Sequence, residues 1–268
     1  FLGVDARARR TDVVGPVPAC CLGSSPRVSV GSGPAVAGRW RVEHLITPAA
    51  DAHAAVVPAD ADASVWVIDA TGPALVLGST QRVADIDVGV AAQAGIDVVR
   101  RRSGGGAVVV VPGELVWIDV IVPRGDELWD DDVARASFWL GEVWTEVVAS
   151  FGLDATMHRG PLLGGDLARK VCFAGVGPGE VLVEGAKVVG ISQRRTRNAA
   201  RFQCACLLHW RTDLLRRLLP GLDRADALDR GGDHDGATVA DRLAGAGRGI
   251  GVDADAVVER TLSVLSTR

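Results

Sequence analysis

The sequence predicts an α+β domain in which single helices pack on a mixed β-sheet. Three observations carry that expectation. Short runs dense in Val and Ile recur between residues 65 and 208, too short for helices and rich in β-formers. Turn residues divide several of them into pairs, as at Thr71-Gly72-Pro73 and Glu184-Gly185. One long segment of helical periodicity separates two groups of strands, and no internal repeat is visible, which argues against a regular βαβ array.

Taken in order, residues 1–38 mix Gly, Pro, Ser and basic residues with no apolar period, and are expected to form a flexible leader. The chain begins at Phe1 rather than Met, so it is expected to be a fragment or a processed form. Trp40 to Pro58 is Ala-rich and has room for a first helix. Val65–Ile68 and Ala74–Leu77 read as a hairpin. Asp85 and Asp87 can cap a short helix that runs through Ala94 and stops at Gly95. Val98–Val99, Val108–Val111 and Leu115–Val122 read as buried strands, with Pro112-Gly113 as the turn between the last two. A long helix is expected from Asp131 to Phe151. Its stripe is Ala136, Leu140, Val143, Val147 and Phe151, with Asp130, Asp131 and Asp132 at its positive end. Val181–Val183 and Ala186–Ile191 form a second hairpin, and Arg201–Leu208 is a further strand. Charged helices close the chain at Leu214–Leu219, Thr238–Ala244 and Ala254–Leu265, broken by a Gly- and Asp-rich loop. The expected division is leader 1–38, main domain 39–212 and small helical segment 213–268.

With 48% hydrophobic and 23% charged residues, the 268-residue chain has a globular balance. A net charge of −4 gives no electrostatic case for nucleic acid or an anionic membrane. No apolar run is long enough to span a bilayer, and the start lacks the pattern of a secretory signal. Five cysteines without a C-x-x-C pair, and scattered histidines, argue against a structural zinc site. No metal ligands are assigned, and a reducing cytoplasm is the expected compartment. Cys204 and Cys206, two apart, should share one strand face.

The chemistry is expected at two motifs. In VVRRRSGGGAVVVV, three consecutive glycines lie between strands, and three arginines precede them. Such glycines let backbone N–H groups approach a bound group such as a phosphate, to which arginines add bidentate donors. A bulge beside a solvated basic strand end is the plainer alternative. A dinucleotide fingerprint would need G-x-G-x-x-G before a long helix, and a Walker loop would need Gly-Lys-Ser/Thr. In VLVEGAKVVGISQRR, Lys187 stands in an otherwise apolar strand. It is a snorkelling edge residue or a functional cation, and the chain has only one other lysine, Lys170.

R-R-x-S-G-G-G-A-V, followed by G-x-K-V-x-G-x-x-Q-R, resembles the lipoate–protein ligase and octanoyltransferase family. That family's catalytic domain is related to biotin–protein ligase and is class II synthetase-like. The likeness covers residues 40–212 and includes Leu75–Thr80 (LVLGST), where Ser79-Thr80 replace the usual Arg-Asn. It implies acyl transfer of lipoate or octanoate to a lysine of a carrier protein, either a lipoyl domain or a glycine-cleavage H-type protein. In its ligase version ATP, with Mg2+, converts the acid to an acyl-adenylate. The amides of Ser103, Gly104, Gly105, Gly106 and Ala107, with Arg101, would then hold the phosphate. Lys187 would stabilise developing charge, and Gly78, Gly190 and Gln193 would complete the substrate site. In its transferase version no cofactor is needed, and Cys172 accepts octanoyl from acyl carrier protein as a thioester. Cys172-Phe173 and Glu114-Leu115 resemble one transferase subfamily, while SGGGA is ligase-like. A third reading is a module that binds an acyl-adenylate or a lipoyl domain without turnover. Two departures stand out: Val109 and Val110 replace the family's usual histidine or aromatic residue after Ala-Val, and AGVGPGE lacks the subfamily's Pro-Ser.

Overall fold

β-Branched residues stiffen the backbone in extended form, and the densest Val and Ile runs become the central strands. In the computed structural model, which describes residues 29–30, 36–222 and 237–268, the strands follow in chain order. They are β1 (Ser29–Val30), β2 (Val36–Ala37), β3 (Trp40–Thr47), β4 (Ser64–Ala70), β5 (Ala74–Leu77) and β6 (Asp97–Arg100). The second half adds β7 (Val108–Val110), β8 (Leu115–Pro123), β9 (Ala155–Met157), β10 (Val181–Val183), β11 (Ala186–Arg195) and β12 (Ala199–Leu207). The helices are α1 (Ala49–Ala54), α2 (Val88–Gln93), α3 (Phe138–Ala149), α4 (Asp166–Lys170), α5 (Thr212–Leu218), α6 (Val239–Ala246) and α7 (Ala254–Leu265).

Among the described residues the strands build a nine-stranded mixed sheet, ordered β1-β3-β4-β8-β12-β11-β10-β9 with β2 beside β3, and a three-stranded sheet, β6-β5-β7. One face of the large sheet is covered by α3 and α7, whose Leu140, Trp144, Val147, Val257 and Leu265 pack on Ile118, Val120, Phe202 and Cys204. The other face meets α1 and the small sheet through Trp66, Ile68, Val76, Val110 and Trp117. The fold class is therefore α+β, and the space between the two sheets is where a cavity opens.

Several expected elements form for the expected reasons. Asp87 caps α2 by accepting from Val90 N–H at 2.9 Å, and Gly95 follows with φ +64°. Glu184 and Gly185 both take positive φ, 51° and 80°, the requirement of a two-residue hairpin turn of matching twist. Thr238 and Asp241 form a capping box at α6. Cys204 and Cys206 are both buried in the core, as their spacing implied.

Other expectations are corrected. Residues 65–68 and 74–77 do not form a hairpin: β4 pairs with β3 and β8, whereas β5 pairs with β6 and β7 in the second sheet. Both runs are apolar on both faces, so their local pattern could not say which sheet each would enter. Helix α3 starts at Phe138 rather than Asp131. Asp130 and Asp132 instead accept from Asp132 and Ala134 N–H groups at 2.8 and 2.9 Å, local bonds that compete with helix formation. The sheet begins before residue 39, because Ser29–Val30 and Val36–Ala37 pair with β3. The rest of the expected leader, and the Gly- and Asp-rich loop at 223–236, lie outside the described residues. No helix among the described residues is long and apolar enough to cross a membrane.

Candidate active site

A cavity of about 460 Å³ opens between the two sheets. The glycine-rich segment, β5, β7, β8, β11, β12 and the 162–180 segment all contribute to its wall. It brings Lys187, Cys172, Arg101, Gly104, Gly105, Gly106 and Gly190 together from distant parts of the sequence.

Lys187 reaches the cavity because β11 breaks its own alternation. Gly190 pairs with Ala205 and Ser192 with Gln203, placing Gly190 and Ser192 on the cavity face. Strict alternation would send Lys187 to the opposite face. Instead the pairing with β10 slips, so that Val181 faces Val189 but Leu182 faces Lys187. This bulge buries Val188 and Val189 together in the core and re-aims Lys187 into the cavity.

The Lys187 side chain is 1% exposed, a burial that a bare ammonium cannot sustain. Its Nζ donates to Glu180 Oε2 at 2.9 Å and to the Cys172 carbonyl at 2.8 Å, and lies 4.9 Å from the centre of the Phe173 ring. An ammonium has three N–H donors, so one remains for the cavity. Glu180, which sequence reasoning missed, is held in turn by Gly177 N–H at 2.6 Å and Ile191 N–H at 3.1 Å. The signal was present only as an acidic residue in an apolar stretch before the hairpin.

The glycine loop has two different kinds of glycine. A Cβ on Gly106 would lie 2.5 Å from the Val171 backbone, and one on Gly78 would lie 1.8 Å from the Gly105 carbonyl oxygen. Both are small because protein backbone passes against them. Gly105 has φ +94°, a region unfavourable to side chains. Gly104 alone faces open space. Arg101 organises the loop: its guanidinium donates to the Gly104 carbonyl at 2.8 Å and the Gly106 carbonyl at 2.8 Å. With carbonyls turned towards Arg101, the opposite edge presents N–H groups. Among the described residues, the amides of Ser103, Gly104, Gly105 and Gly106 have no protein acceptor. Such a run of unpaired N–H groups is an anion-binding concavity.

Three expected binding residues are placed otherwise. The Ala107 amide is spent on the Lys170 carbonyl at 2.8 Å, and its carbonyl accepts from Cys172 N–H at 3.0 Å, so it braces the loop and cannot reach a ligand. Gly78 backs the loop. Gln193 pairs with Phe202, a core residue, and so points to the opposite sheet face, where its amide oxygen is placed to accept from Arg195 at 3.2 Å. Period-two alternation from Gly190 and Ser192 excludes it from the cavity. Ser103 stands outside the cavity lining, its Oγ 3.4 Å from Ser192 Oγ.

A buried polar row lies beneath the other end of the cavity. Arg201 Nε donates to Asp119 Oδ2 at 2.6 Å, and Arg201 also donates to the Ala52 and Ala55 carbonyls at the end of α1. Trp117 Nε1 donates to Asp119 at 2.8 Å. Burial pushes the Asp119 carboxyl up, against the pull of Arg201. His53, at the end of α1, lies over Trp117 with ring centres 4.6 Å apart, and its Nδ1 is 3.3 Å from Gln203 Nε2. Burial first, then the charges of Arg101 and Arg201, lowers its pKa to about 3, so the ring is neutral near pH 7. The histidine expected after Ala107-Val108 is absent, and α1 supplies one to the same cavity. Cys172 is half-buried on the wall, whereas burial pushes the Cys206 thiol up to about 12 and raises Cys204 as well, leaving both inert.

Comparison with known proteins adds to this geometry. The profile described as "Lipoyl protein ligase A/B catalytic domain" matches residues 53–238. The fold is similar to a bipartite lipoate protein ligase from Thermoplasma acidophilum, solved in work on that ligase and its E2 lipoyl domain. The TM-score is 0.58 at 18% identity, covering 86% of this chain and 82% of the other. It is also similar to a lipoate-protein ligase A bound with ATP, with TM-score 0.56 at 17% identity, covering 86% and 84%. Protein Ta0514 of T. acidophilum, with bound lipoic acid, matches at TM-score 0.54 and 18% identity, covering 78% and 73%. At these identities the likeness establishes the fold. A search of curated proteins by sequence finds no match.

Proposed function

Because this chain belongs to the lipoyl protein ligase A/B catalytic-domain family, we propose that it activates lipoate or octanoate with ATP and transfers the acyl group to a lysine of a lipoyl carrier domain. The observation that carries the reading is the pairing, on one cavity, of the unpaired amides of Gly104, Gly105 and Gly106 with the buried ammonium of Lys187. An acyl-adenylate presents one phosphate and one carbonyl, and these donors suit both.

In this reaction the acid's carboxylate oxygen attacks the α-phosphorus of ATP and pyrophosphate leaves. The loop amides take the charge that builds on the phosphoryl oxygens, and the third Lys187 proton takes that on the acyl carbonyl. The carrier lysine's amine then attacks the carbonyl, AMP departs, and the excess amine proton passes to water. Arg101 acts through the loop, which it holds open for the phosphate. No cluster of metal-ligating side chains occurs among the described residues. Magnesium would therefore arrive as the counter-ion of ATP, and no step is assigned to it.

A second reading has its own support. Cys172 lines the cavity, and Lys187 touches its carbonyl, a placement that also suits a thioester nucleophile with a cation nearby. The bond runs to the backbone and not to the thiol, which favours the ligase. The test is transfer to an apo lipoyl domain from octanoate or lipoate with ATP, against transfer from octanoyl carrier protein without it. ATP–pyrophosphate exchange with the free acid supports the ligase; transfer only from the carrier protein overturns it. Binding without exchange or transfer overturns both.

A further inference from the structure

The cavity is not uniformly apolar, and His53 and Gln203 on its wall take no part in the chemistry above. From Lys187, the floor runs along β11 to Ser192, which pairs with Gln203, a span of roughly 15 Å at strand spacing. The cross-strand pair Gly190 and Ala205 lies between. Neither carries a large side chain, so the trough between the ends stays open. A Cβ on Gly190 would already touch Phe173 at 3.4 Å. A chain whose carboxyl sits at Lys187 therefore points its far end towards Trp117, Gln203 and His53.

The polar row fixes which way His53 presents its protons. Gln203 pairs with Asp119 in the register of β12 and β8, and its amide nitrogen can only donate. That same nitrogen faces His53 Nδ1, which must accept. In a neutral imidazole the proton then lies on Nε2. Nε2 has no protein partner among the described residues, and its residue lines the cavity. The nearby cations Arg101 and Arg201 make an electron-rich end group favourable there. The indole of Trp117 beneath suits polarisable sulfur.

We infer that His53, oriented by Gln203, is the residue that reads the far end of the acyl chain, and that it selects a chain ending in a polarisable hydrogen-bond acceptor, the cyclic disulfide class, over one ending in a methyl group. The inference rests on the ligase reading and deepens it. It makes His53 a specificity residue; the reacting carboxyl lies at the other end of the cavity. Its neutral donor contributes to binding of the tail and not to the adenylation step.

The experiment measures kcat/KM for lipoate and for octanoate, with ATP and an apo lipoyl domain, and calorimetric binding of each acid to the full chain. The parent should prefer lipoate. His53→Leu should lower the lipoate-to-octanoate ratio by about fivefold, the worth of one modest hydrogen bond, chiefly by strengthening octanoate and weakening lipoate. Gln203→Leu leaves the imidazole but frees its tautomer, and should lower the ratio by a smaller factor. It also serves if His53→Leu melts early. A ratio unchanged within twofold in the folded variants overturns the inference while leaving the ligase reading intact. If the parent neither binds nor transfers either acid, the ligase reading itself falls, and this inference with it.

Discussion

Lys187 donates to Glu180 at 2.9 Å, and the two side chains are only 1% and 9% exposed. A buried pair of this kind is costly to break, because removing one charge strands the other. Lys187→Met should therefore destabilise the fold by about 3–5 kcal/mol and lower acyl transfer by about 10²–10³. The double variant Lys187→Met with Glu180→Leu should recover most of the stability and none of the activity. Denaturant titrations and initial rates on the same samples separate the two effects. A fully active Lys187→Met would remove the lysine from the chemistry.

The two kinds of glycine should respond differently. Gly106→Ala places a methyl 2.5 Å from the Val171 backbone, so the melting temperature should fall. Gly104→Ala meets open space and should melt like the parent, yet it intrudes where a phosphate would approach and should weaken ATP binding. Thermal melts paired with nucleotide titration distinguish a structural glycine from a ligand-facing one. Equal ATP affinity in Gly104→Ala would mean that the loop edge does not hold phosphate.

Cys172 separates the two mechanisms. A ligase needs no thiol, so Cys172→Ser should keep ATP-dependent transfer within about threefold, since only a wall atom changes. A transferase would lose its nucleophile, because an unassisted serine hydroxyl is far weaker than a thiolate. Intact-mass measurement after incubation with octanoyl carrier protein, without ATP, is direct. An octanoyl adduct mapped to the Cys172 peptide and released by hydroxylamine would make the transferase the correct assignment.

The neutral His53 should leave a mark on acid stability. Its pKa falls from 6.5 to about 3 on folding. Between those values the unfolded chain takes up a proton that the folded chain refuses, so this residue favours unfolding progressively as pH drops below 6.5 and has no effect above it. Asp119 runs the other way, because burial raises its carboxyl, so a difference between variants is needed. The urea midpoint of His53→Leu should decline less than the parent's between pH 6.5 and 4. Parallel curves would show that the imidazole is not held neutral.

The parts of the site legible in the sequence are those whose chemistry is written locally. Three glycines in a row constrain the backbone wherever they fold, and a lysine flanked by Val and Gly advertises a charge in an apolar strand. Asp87 and Thr238 announced helix starts through caps that act within one turn. Glu180 and His53 carried no such mark. An isolated acid and one of five scattered histidines gain meaning only from the strand or helix that carries them to the cavity.

By itself the sequence determined the α+β class and singled out the glycine loop and Lys187 as candidates, because each rests on spacing and side-chain type within a few residues. Only the tertiary structure decided that β4 and β5 belong to different sheets, that Gln193 faces away, and that Lys187 faces in. The physical reason is register. A side chain's face in a strand flips with every residue, so the single bulge opposite Val181–Leu182 governs where the lysine points, and that bulge is set by pairing with β10 rather than by any residue of β11 alone.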